Sequence, residues 1–570
     1  MELLKKLRWQ LLLIMLALII VAVVLWGQQA EPVIVESPEP VGGGEYQEGL
    51  VGSLMRLNPL LARYSNNPVD QDVSSLLFNG LVRFDSKGFP QYDLANSLGI
   101  SNNGKIYNFS LRSDANWHDG HPVTSEDVVF TISLLKDEEF PTPPDVQSFW
   151  ADIEVEALDD HTLQFRLPEP FAPFLDYLNF GLLPAHLLGD MSAEEIINAE
   201  FNLNPIGTGP YRFDHFLGEN DQITGVALKR FEGYYRENAF LEDFIFRFYD
   251  SQEAAWEAYQ EGEILGIGKI GKEILSPALQ AEDLNIYTSR LPEMTMILLH
   301  LDNPELPFFQ ETDLRRALLL GLNRQWMVDH LLNGQAVIAD SPIFPKTWAY
   351  YEGITHYSYD PEQAVETLRE LGYTIPAEGG DVRVNEEGEE LAFTLLYPDD
   401  ERHRLIAETI QENWREIGVG LTLEAVSYEE LQGEHLEPRT YQAALVDINL
   451  THHPDPDPYP FWHQTQTTGG QNYAMWNDRQ ASEYLEQARI VFDNPDERAR
   501  LYRNFQVRFV DQMPALLLYY PVYNYGVSED VQGVRIGPLF DPSDRLRNVA
   551  QWYVFSEVPG GQAPAGTPTP

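Results

Sequence analysis

The chain has 570 residues, 44% of them hydrophobic and 12% aromatic, so it is long enough to fold as two or three domains. Its 88 Asp and Glu residues against 38 Lys and Arg residues give a formal net charge of −50, which argues against a nucleic-acid partner. The chain contains no cysteine, which excludes disulfides, thiolate metal ligands and cysteine nucleophiles. The acidity favours solubility and leaves open a preference for cationic ligands.

The N-terminus predicts export. Lys5, Lys6 and Arg8 precede the sixteen uninterrupted apolar residues at 11–26, and acidic residues follow them. This pattern predicts a membrane anchor at 1–27 with its N-terminus in the cytoplasm. A cleaved signal peptide is the alternative, although Gln28 makes a poor cleavage site after Ala30. Either interpretation places the remaining chain outside the cytoplasm.

Both ends of the exported part have the composition of flexible segments. Residues 28–49 are rich in proline, glycine and glutamate, which predicts a flexible stalk. Residues 558–570 have low complexity and predict a disordered tail. Between them the sequence predicts folded structure throughout, without an internal repeat.

The segment at 116–130, NWHDGHPVTSEDVVF, has the residue types of a small catalytic or metal site. Thr124 and Asp127 instead form a capping-box pattern, followed by an apolar stripe at Val128, Val129, Ile132 and Leu135. The preceding Asp-Gly and Pro predict a turn. His118 and His121 could bind a metal, but no third ligand stands at helical or hairpin spacing. The segment is therefore interpreted as scaffold, and no metal site is predicted.

Helix and strand patterns alternate along the chain. Apolar and polar residues alternate at 105–112 and 161–167, which predicts half-buried strands. Asp360, Pro361 and Gly372 delimit a predicted helix. A second helical stripe follows at 405–419, and a short strand pattern follows at 421–426. This order predicts α/β domains with largely parallel sheets.

Two further motifs are ambiguous when taken alone. Residues 266–271, GIGKIG, match dinucleotide-binding spacing, but the preceding segment is helical rather than a strand, so no cofactor is predicted. His452, His453, Asp455 and Asp457 could form a metal site. The interleaved prolines predict an extended rod there, in which neighbouring side chains point apart.

The order and spacing of several segments resemble a known family. They include WHDGHPVTSEDV at 117–128, NPIGTGPYRF at 204–213, DPEQAVETLRELGY at 360–373 and DPDPYPFWHQTQTTGGQNYAMWND at 455–478. The chain is similar to the extracytoplasmic solute-binding proteins of family 5, which serve peptide and nickel ABC importers. The resemblance covers nearly all of the exported part, from about residue 50 to residue 552.

The resemblance implies an α/β, two-lobe, periplasmic-binding-protein-like fold of class II (a Venus flytrap) with an extra inserted subdomain. The implied division, after the anchor at 1–27 and stalk at 28–49, is a discontinuous lobe I at 50–80, 205–300 and 521–557, an inserted subdomain at 81–204, a lobe II at 301–520 and the tail at 558–570. The ligand would lie between the lobes, which would close around it.

The resemblance also implies ligand-binding residues. Asp447, at the end of a predicted strand, is the first choice for pairing with a peptide's α-amino group, because an unpaired buried charge is costly. Asp455 and Asp457 are the second choice. Arg402, with Arg404 as its neighbour, is the candidate for the peptide's carboxylate. Aromatic and amide side chains could line the pocket, although packing is the alternative for the tryptophans; they are Trp462, Asn472, Tyr473 and Trp476.

The implied function is capture of peptides and their delivery to a membrane permease with its ATPase, by a monomer without catalysis. Another solute, such as a nickel chelate or an oligosaccharide, is the alternative within the family, and a ligand-sensing receptor is another. A hydrolase is disfavoured because neither Gly-x-Ser-x-Gly nor His-Glu-x-x-His occurs. The chain departs from the family in lacking a lipid-anchoring Cys and in having Asn323-Arg324 where Asp-Arg is usual.

Overall fold

The computed structural model of the protein describes residues 43–219 and 222–554. The predicted membrane anchor and C-terminal tail lie outside these ranges, as does most of the predicted stalk. The stalk ends earlier than predicted, because a strand begins at Glu45 and Tyr46 is already fully buried. Within the described ranges, no helix is both long and apolar enough to cross a bilayer.

Twenty strands form the sheets. They are β1 Glu45–Val51, β2 Val82–Phe84, β3 Pro90–Tyr92, β4 Ala95–Ile100, β5 Ile106–Leu111, β6 Glu154–Asp159, β7 Thr162–Arg166, β8 Tyr211–Glu219, β9 Gln222–Arg230, β10 Asp243–Tyr249, β11 Gly266–Ile267, β12 Leu284–Arg290, β13 Glu293–Leu299, β14 Ala336–Ile338, β15 Ala392–Pro398, β16 Gly420–Val426, β17 Ala443–Asn449, β18 Ala515–Ser528, β19 Val531–Gln532 and β20 Tyr553–Val554, counted over the described ranges.

The α-helices of the same ranges lie between these strands. They are α1 Pro59–Arg63, α2 Pro68–Leu77, α3 Ser125–Lys136, α4 Pro144–Ala151, α5 Ala185–Leu188, α6 Ala193–Ile197, α7 Gln252–Gln260, α8 Leu275–Ala278, α9 Thr312–Leu320, α10 Arg324–Trp326, α11 Pro361–Glu370, α12 Glu401–Glu416, α13 Tyr428–Glu430, α14 Tyr459–Trp462, α15 Arg479–Ile490 and α16 Pro495–Gln512.

A sheet of twelve strands runs through both lobes. Its order is β16-β15-β17-β13-β18-β11-β1-β10-β9-β8, and β12 and β14 also pair with β18. The prediction of largely parallel sheets is wrong. Strand β15 is parallel to β16 and β17, and strand β1 is parallel to β10 and β11. The other strand pairs of this sheet are antiparallel. Helix-then-strand order is compatible with either arrangement, so it could not decide between them.

The long strand β18 connects the lobes. Its first half pairs with β13, and its second half pairs with β12. The chain passes between the same two partners at Leu291, whose N–H donates to the carbonyl of Pro521 at 3.0 Å. At these two crossings the chain passes between the hydrophobic core around Tyr46 and the core around Trp414.

Separate hydrophobic cores define the three regions named below. Lobe I packs around Tyr46, Phe244 and Trp552, with a smaller cluster under α7. The inserted subdomain has its own core beside the antiparallel sheet β4-β5-β7-β6. Lobe II has the largest core, in which Trp414 of α12 is fully buried and donates from Nε1 to the carbonyl of Leu318 at 2.9 Å.

Local predictions are confirmed where short-range patterns decide the structure. The alternating residues of β5 and β7 bury their apolar faces as expected. Helix α11 begins after Asp360, whose side chain accepts the N–H of Gln363 at 2.9 Å, and Pro361 is its first residue. Helix α12 and strand β16 also occupy the predicted positions.

The segment at 116–130 forms the predicted turn and capped helix. The Thr124 N–H donates to the carboxylate of Asp127 at 2.8 Å, and Gly120 adopts a positive φ of 91° in the turn. Val129 is only half-buried, whereas Thr131 and Leu134 join the buried face. A sheet strand rather than a phosphate loop starts at Gly266, where an added Cβ would collide with the hydroxyl of Tyr46.

Candidate functional site

A cavity of about 1070 Å³ lies between lobe I, the inserted subdomain and one loop of lobe II. Helices α1 and α2, strand β2 and the chain at 535–551 supply most of its wall, and His452 and Pro454 close it from lobe II. The cavity is therefore built from all three regions, so its shape depends on how they are held together.

Charged side chains of both signs line this cavity. They are Arg63, Arg83, Arg112, Arg236, Arg535, Arg547, His452, Asp85, Asp93, Glu237, Asp541 and Asp544. Some of the arginines are already neutralised: Arg236 pairs with Asp93 at 3.4 Å, and Arg547 pairs with Asp544 at 2.6 Å. The concentration of arginine contrasts with the net charge of −50 of the whole chain.

At least two of the arginines retain free hydrogen-bonding capacity. Arg83, on β2, is half-buried, and its Nε has no hydrogen-bond partner among the described residues. Burial, and next the neighbouring cation of Arg236, lower the pKa of Arg83. Arg535 is exposed and likewise forms no side-chain hydrogen bond or ion pair to the described part of the chain. These guanidinium groups can accept an anionic ligand group, because a bidentate carboxylate matches their geometry.

His452 fixes the loop of lobe II against lobe I. Its φ of 71° is unusual for a residue with a side chain, and its N–H donates to the carbonyl of Phe540 at 2.8 Å. Its Nδ1 lies 2.6 Å from the carboxylate of Asp541. Burial alone would raise the pKa of Asp541, but the charge and hydrogen bond of His452 hold it well below its usual range.

The next residues of this loop contact the inserted subdomain. Nδ1 of His453 lies 3.1 Å from the carboxylate of Asp176, which also accepts the N–H of Asp455 at 3.0 Å. Burial raises the pKa of Asp176 to about 6, although His453 partly offsets this effect. The loop therefore connects lobe II to both other regions within four residues.

The structure gives Asp455 and Asp457 partners inside lobe II. Asp455 accepts two hydrogen bonds from Arg498, at 2.7 and 3.1 Å, and Asp457 pairs with Arg489 at 2.6 Å. The predicted extended rod is wrong from Pro458 onward, because Pro458 has φ −71° and ψ −2° and precedes helix α14. The two carboxylates shape the loop, and neither lines the cavity.

Asp447 and Arg402, predicted to bind opposite ends of a peptide, pair with each other at 2.6 Å. Asp447 also contacts His403 at 3.1 Å and accepts the Thr295 hydroxyl at 2.5 Å. Burial would raise the pKa of Asp447, but these hydrogen bonds and charges lower it to about 2. This cluster is separate from the cavity lining. Beside it, Lys272 of lobe I reaches Glu401 of lobe II at 3.7 Å.

The predicted aromatic and amide residues belong mainly to the lobe II core. Trp462 and Trp476 are buried and pack against Phe509 at 4.7 and 5.8 Å between ring centroids. Asn472 is fully buried and bonds to the backbone of His463 and Trp476. The contacts of the two tryptophans therefore agree with packing in the core, which was the alternative to lining the pocket. Tyr473 is half-buried beneath the guanidinium of Arg439, 5.0 Å away.

Sequence reasoning missed the arginines and the C-terminal wall of the cavity. A signal was present, because RIGPLFDPSDRLR at 535–547 concentrates arginine in a strongly acidic chain. Arg545 of this segment is not a cavity residue, since it is fully buried against Glu48 and Asp72. It holds the segment in place so that Arg535 and Arg547 can face the cavity.

Comparison with known proteins identifies the family. The family described as bacterial extracellular solute-binding proteins, family 5 middle, matches residues 90–471. The oligopeptide-binding protein AppA of Bacillus subtilis is 24% identical over 90% of this chain and 92% of its own length. The dipeptide-binding protein of Escherichia coli is 26% identical over 82% of this chain and 88% of its own length.

Solved structures agree with the two-lobe fold. AppA of Bacillus subtilis in complex with a nonapeptide superimposes with a TM-score of 0.65 at 24% identity, covering 91% of this chain and all of that one. HbpA2 of Haemophilus parasuis gives a TM-score of 0.77 at 20% identity, covering 90% of this chain and all of that one. The chain belongs to the bacterial extracellular solute-binding proteins of family 5.

Proposed function

We propose that this protein is the substrate-binding protein of an ABC importer and that it carries peptides in the cavity between its lobes. The observation that supports this most directly is the charge of the cavity, because unpaired guanidinium groups and carboxylates line the same cavity. A peptide has a carboxylate and an ammonium group a few residues apart, so it can use both kinds of partner. Relatives named for oligopeptides and dipeptides agree with this ligand class.

The size of the cavity favours a ligand of several residues. Its volume of about 1070 Å³ slightly exceeds the range of roughly 300–1,000 Å³ that small-molecule pockets span. Arg83 and Arg535 would bind the peptide's carboxylate or an acidic side chain. Asp85 and Glu237 are the nearby carboxylates without a strong cationic partner, and they would receive the ammonium group.

Asp447 and Arg402 remain proposed as a second recognition pair. The other proposed ligand-binding residues are Asp455, Asp457, Trp462, Asn472, Tyr473 and Trp476. Asp447 could receive an ammonium group only by giving up Arg402, since the two already pair. The side chain of Arg402 is 40% exposed and that of Asp447 is 21% exposed, so a ligand can reach both. The exchange would occur when a ligand enters from the side of Lys272. Separate substitutions at Arg83 and at Asp447 distinguish the two locations.

The first experiment is a thermal-shift screen with peptides of two to five residues, followed by titration calorimetry with a peptide that raises Tm. Ligand that binds only the native state raises its stability, so a true ligand raises Tm in a concentration-dependent manner. We expect Arg83→Ala to weaken peptide binding at least tenfold, because it removes a charged hydrogen bond worth about 1.5–3 kcal/mol. Arg479→Ala, on an exposed surface pair, should bind peptide like the native chain.

One result would contradict the peptide as the ligand, and another would contradict the cavity as its site. One is the absence of a Tm shift with peptides when Ni(II)–histidine chelate or an oligosaccharide produces one; the relative NikZ of Campylobacter jejuni was solved with Ni(L-His). The other is peptide binding that Arg83→Ala leaves intact and Asp447→Asn abolishes, which would move the site to the Asp447 cluster.

We also propose that residues 1–27 anchor the protein in the membrane, so that a monomer presents its ligand to a permease coupled to an ATPase. The sixteen apolar residues at 11–26 support this proposal. Fractionation of cells that express the full chain tests it: the full-length protein should sediment with membranes and resist high salt. Recovery as a shortened soluble protein would indicate a cleaved signal peptide.

A further inference from the structure

Three metal-ligating side chains meet on the surface of the inserted subdomain, outside the cavity. Nδ1 of His121 lies 3.2 Å from Oδ2 of Asp119, and Nε2 of His186 lies 2.9 Å from the same oxygen. The two imidazole rings stack with their centroids 4.3 Å apart. His186 is the third ligand that the sequence did not show, because it comes from helix α5, far along the chain from the turn at Asp119.

The separations of these atoms match those of ligands that share one cation. Ligand atoms about 2.1 Å from a metal are about 3.0 Å apart at a right angle and about 3.4 Å apart in a tetrahedron. The two nitrogen-to-oxygen distances, 2.9 and 3.2 Å, fall near these values, and all three ligand atoms lie within 4.8 Å of one another. A cation can therefore be accommodated by small rotations of side chains.

The backbone that carries these ligands is fixed. Oδ1 of Asp119 accepts the N–H of His121 at 3.0 Å, and this leaves Oδ2 for the two imidazoles. The buried carboxylate of Asp127 accepts from Nε1 of Trp117 at 3.2 Å and from the N–H of Ala185 at 2.8 Å. Because Trp117 begins the turn and Ala185 begins α5, Asp127 holds the two ligand-bearing segments together. A rigid backbone of this kind keeps ligand side chains near one another.

His118, the other histidine of the turn, does not contribute. Its Nδ1 accepts the N–H of Gly207 at 3.1 Å, and its Nε2 lies 3.1 Å from the carbonyl of Gly209. Both ring nitrogens are therefore occupied by the backbone. The ligand set is restricted to two imidazoles and one carboxylate.

We propose that Asp119, His121 and His186 form a binding site for a divalent transition-metal cation. Two imidazoles and a carboxylate suit Zn²⁺, Ni²⁺ or Cu²⁺, whereas Mg²⁺ and Ca²⁺ prefer sites made entirely of oxygen. The side chains of Asp119 and His186 are each 24% exposed and that of His121 is 61% exposed, so water can complete the coordination. A bound cation would join the turn to helix α5. Binding of the cation would be independent of peptide binding in the cavity.

Calorimetric titration of the chelator-treated full chain with Zn²⁺, in millimolar Mg²⁺ to saturate acidic surface groups, tests the proposal. We expect one Zn²⁺ per chain, with affinity reduced at least tenfold in His121→Ala and in His186→Ala. His215→Ala is the matched control, because His215 is also exposed and pairs with a single carboxylate, at 2.7 Å. This control should bind Zn²⁺ like the native chain.

The Tm of each variant without metal checks that it is folded, and the visible absorption of Co²⁺ added in place of Zn²⁺ provides a second readout of metal coordination. The proposal is overturned if the native chain binds no Zn²⁺, or if both histidine variants bind it with native affinity and stoichiometry. It is also overturned if excess Mg²⁺ or Ca²⁺ displaces Zn²⁺ completely, since that would indicate acidic surface groups alone.

Discussion

Arg545 is the centre of a fully buried ion-pair network in lobe I. Its guanidinium is fully buried and bonds to Glu48 at 2.6 Å and to Asp72 at 2.5 Å. The hydroxyls of Tyr46 and Tyr525 also donate to Glu48, at 3.0 and 2.5 Å. The network joins the C-terminal segment to β1 and α2, and so it fixes one wall of the cavity.

Substituting Arg545→Ala should destabilise the protein by about 3–5 kcal/mol, because it leaves two buried carboxylates without a cation. Urea unfolding, followed by tryptophan fluorescence, measures the change. Arg479→Ala, whose side chain is 86% exposed, should change the free energy of unfolding by less than about 1 kcal/mol. A loss below about 1 kcal/mol in Arg545→Ala would show that the network does not support lobe I.

The lowered pKa of Asp447 should make the stability of the protein depend on pH. Its pKa is about 2 in the folded chain against an ordinary value of 3.8, so folding favours its charged form. The contribution of Asp447 to the free energy of unfolding is on the order of 2 kcal/mol. This contribution is therefore fully present above about pH 4 and is lost as the pH falls toward 2.

Comparing the native chain with Asp447→Asn by urea unfolding between pH 2.5 and pH 7 tests this sign. The native chain should be the more stable at neutral pH, and the difference should shrink below pH 4. A difference that grows as the pH falls would mean that the Asp447–Arg402 pair does not form.

At the scale of elements, Asp127 joins two segments that are remote in sequence. Its buried carboxylate accepts hydrogen bonds from Thr124, Trp117 and Ala185. Asp127→Ala should cost about 3 kcal/mol, because three donors lose their partner in a buried place.

Thr124→Ala is the matched control for Asp127, since the Thr124 hydroxyl makes only a 3.4 Å contact with that carboxylate. Because Thr124 is also the N-cap of α3, its substitution should cost about 1 kcal/mol, well below the loss in Asp127→Ala. Urea unfolding of both variants measures the two losses, and equal losses would contradict the account of Asp127 as a link between segments.

The same element shows what the sequence could and could not predict. The capping box was predictable, because Thr124 and Asp127 are three residues apart and the helical backbone brings them together. The contacts of Asp127 with Trp117 and Ala185, and the meeting of His121 with His186, depend on how distant segments pack. The antiparallel pairing of β18 is likewise set by tertiary contacts and not by its own pattern.

The candidate site was less predictable than the fold for a related reason. Asp447 and Arg402 were chosen singly, each for a charge that a ligand could use, and the sequence did not show that they lie 2.6 Å apart. The resemblance to the family was enough to predict the two-lobe architecture and to single out the loop at 452–457. Which charges remain unpaired in the cavity follows only from the arrangement of three regions.

At the scale of the whole molecule, ligand binding should couple to movement of the lobes. Strand β18 and the Leu291 crossing connect lobe I to lobe II, and the loop at 452–454 contacts lobe I and the inserted subdomain. A ligand in the cavity would touch lobe I, the inserted subdomain and the loop at 452–454. It would therefore stabilise the arrangement in which they are close.

Hydrogen–deuterium exchange, with and without a tetrapeptide that raises Tm, tests the central claim of peptide capture in this cavity most directly. We predict slower exchange in the presence of peptide at 79–86, at 452–454 and at 535–551, with little change at 119–121 or 185–188. Protection confined to 402–404 and 443–449, or no protection in any part of the cavity wall, would contradict the claim.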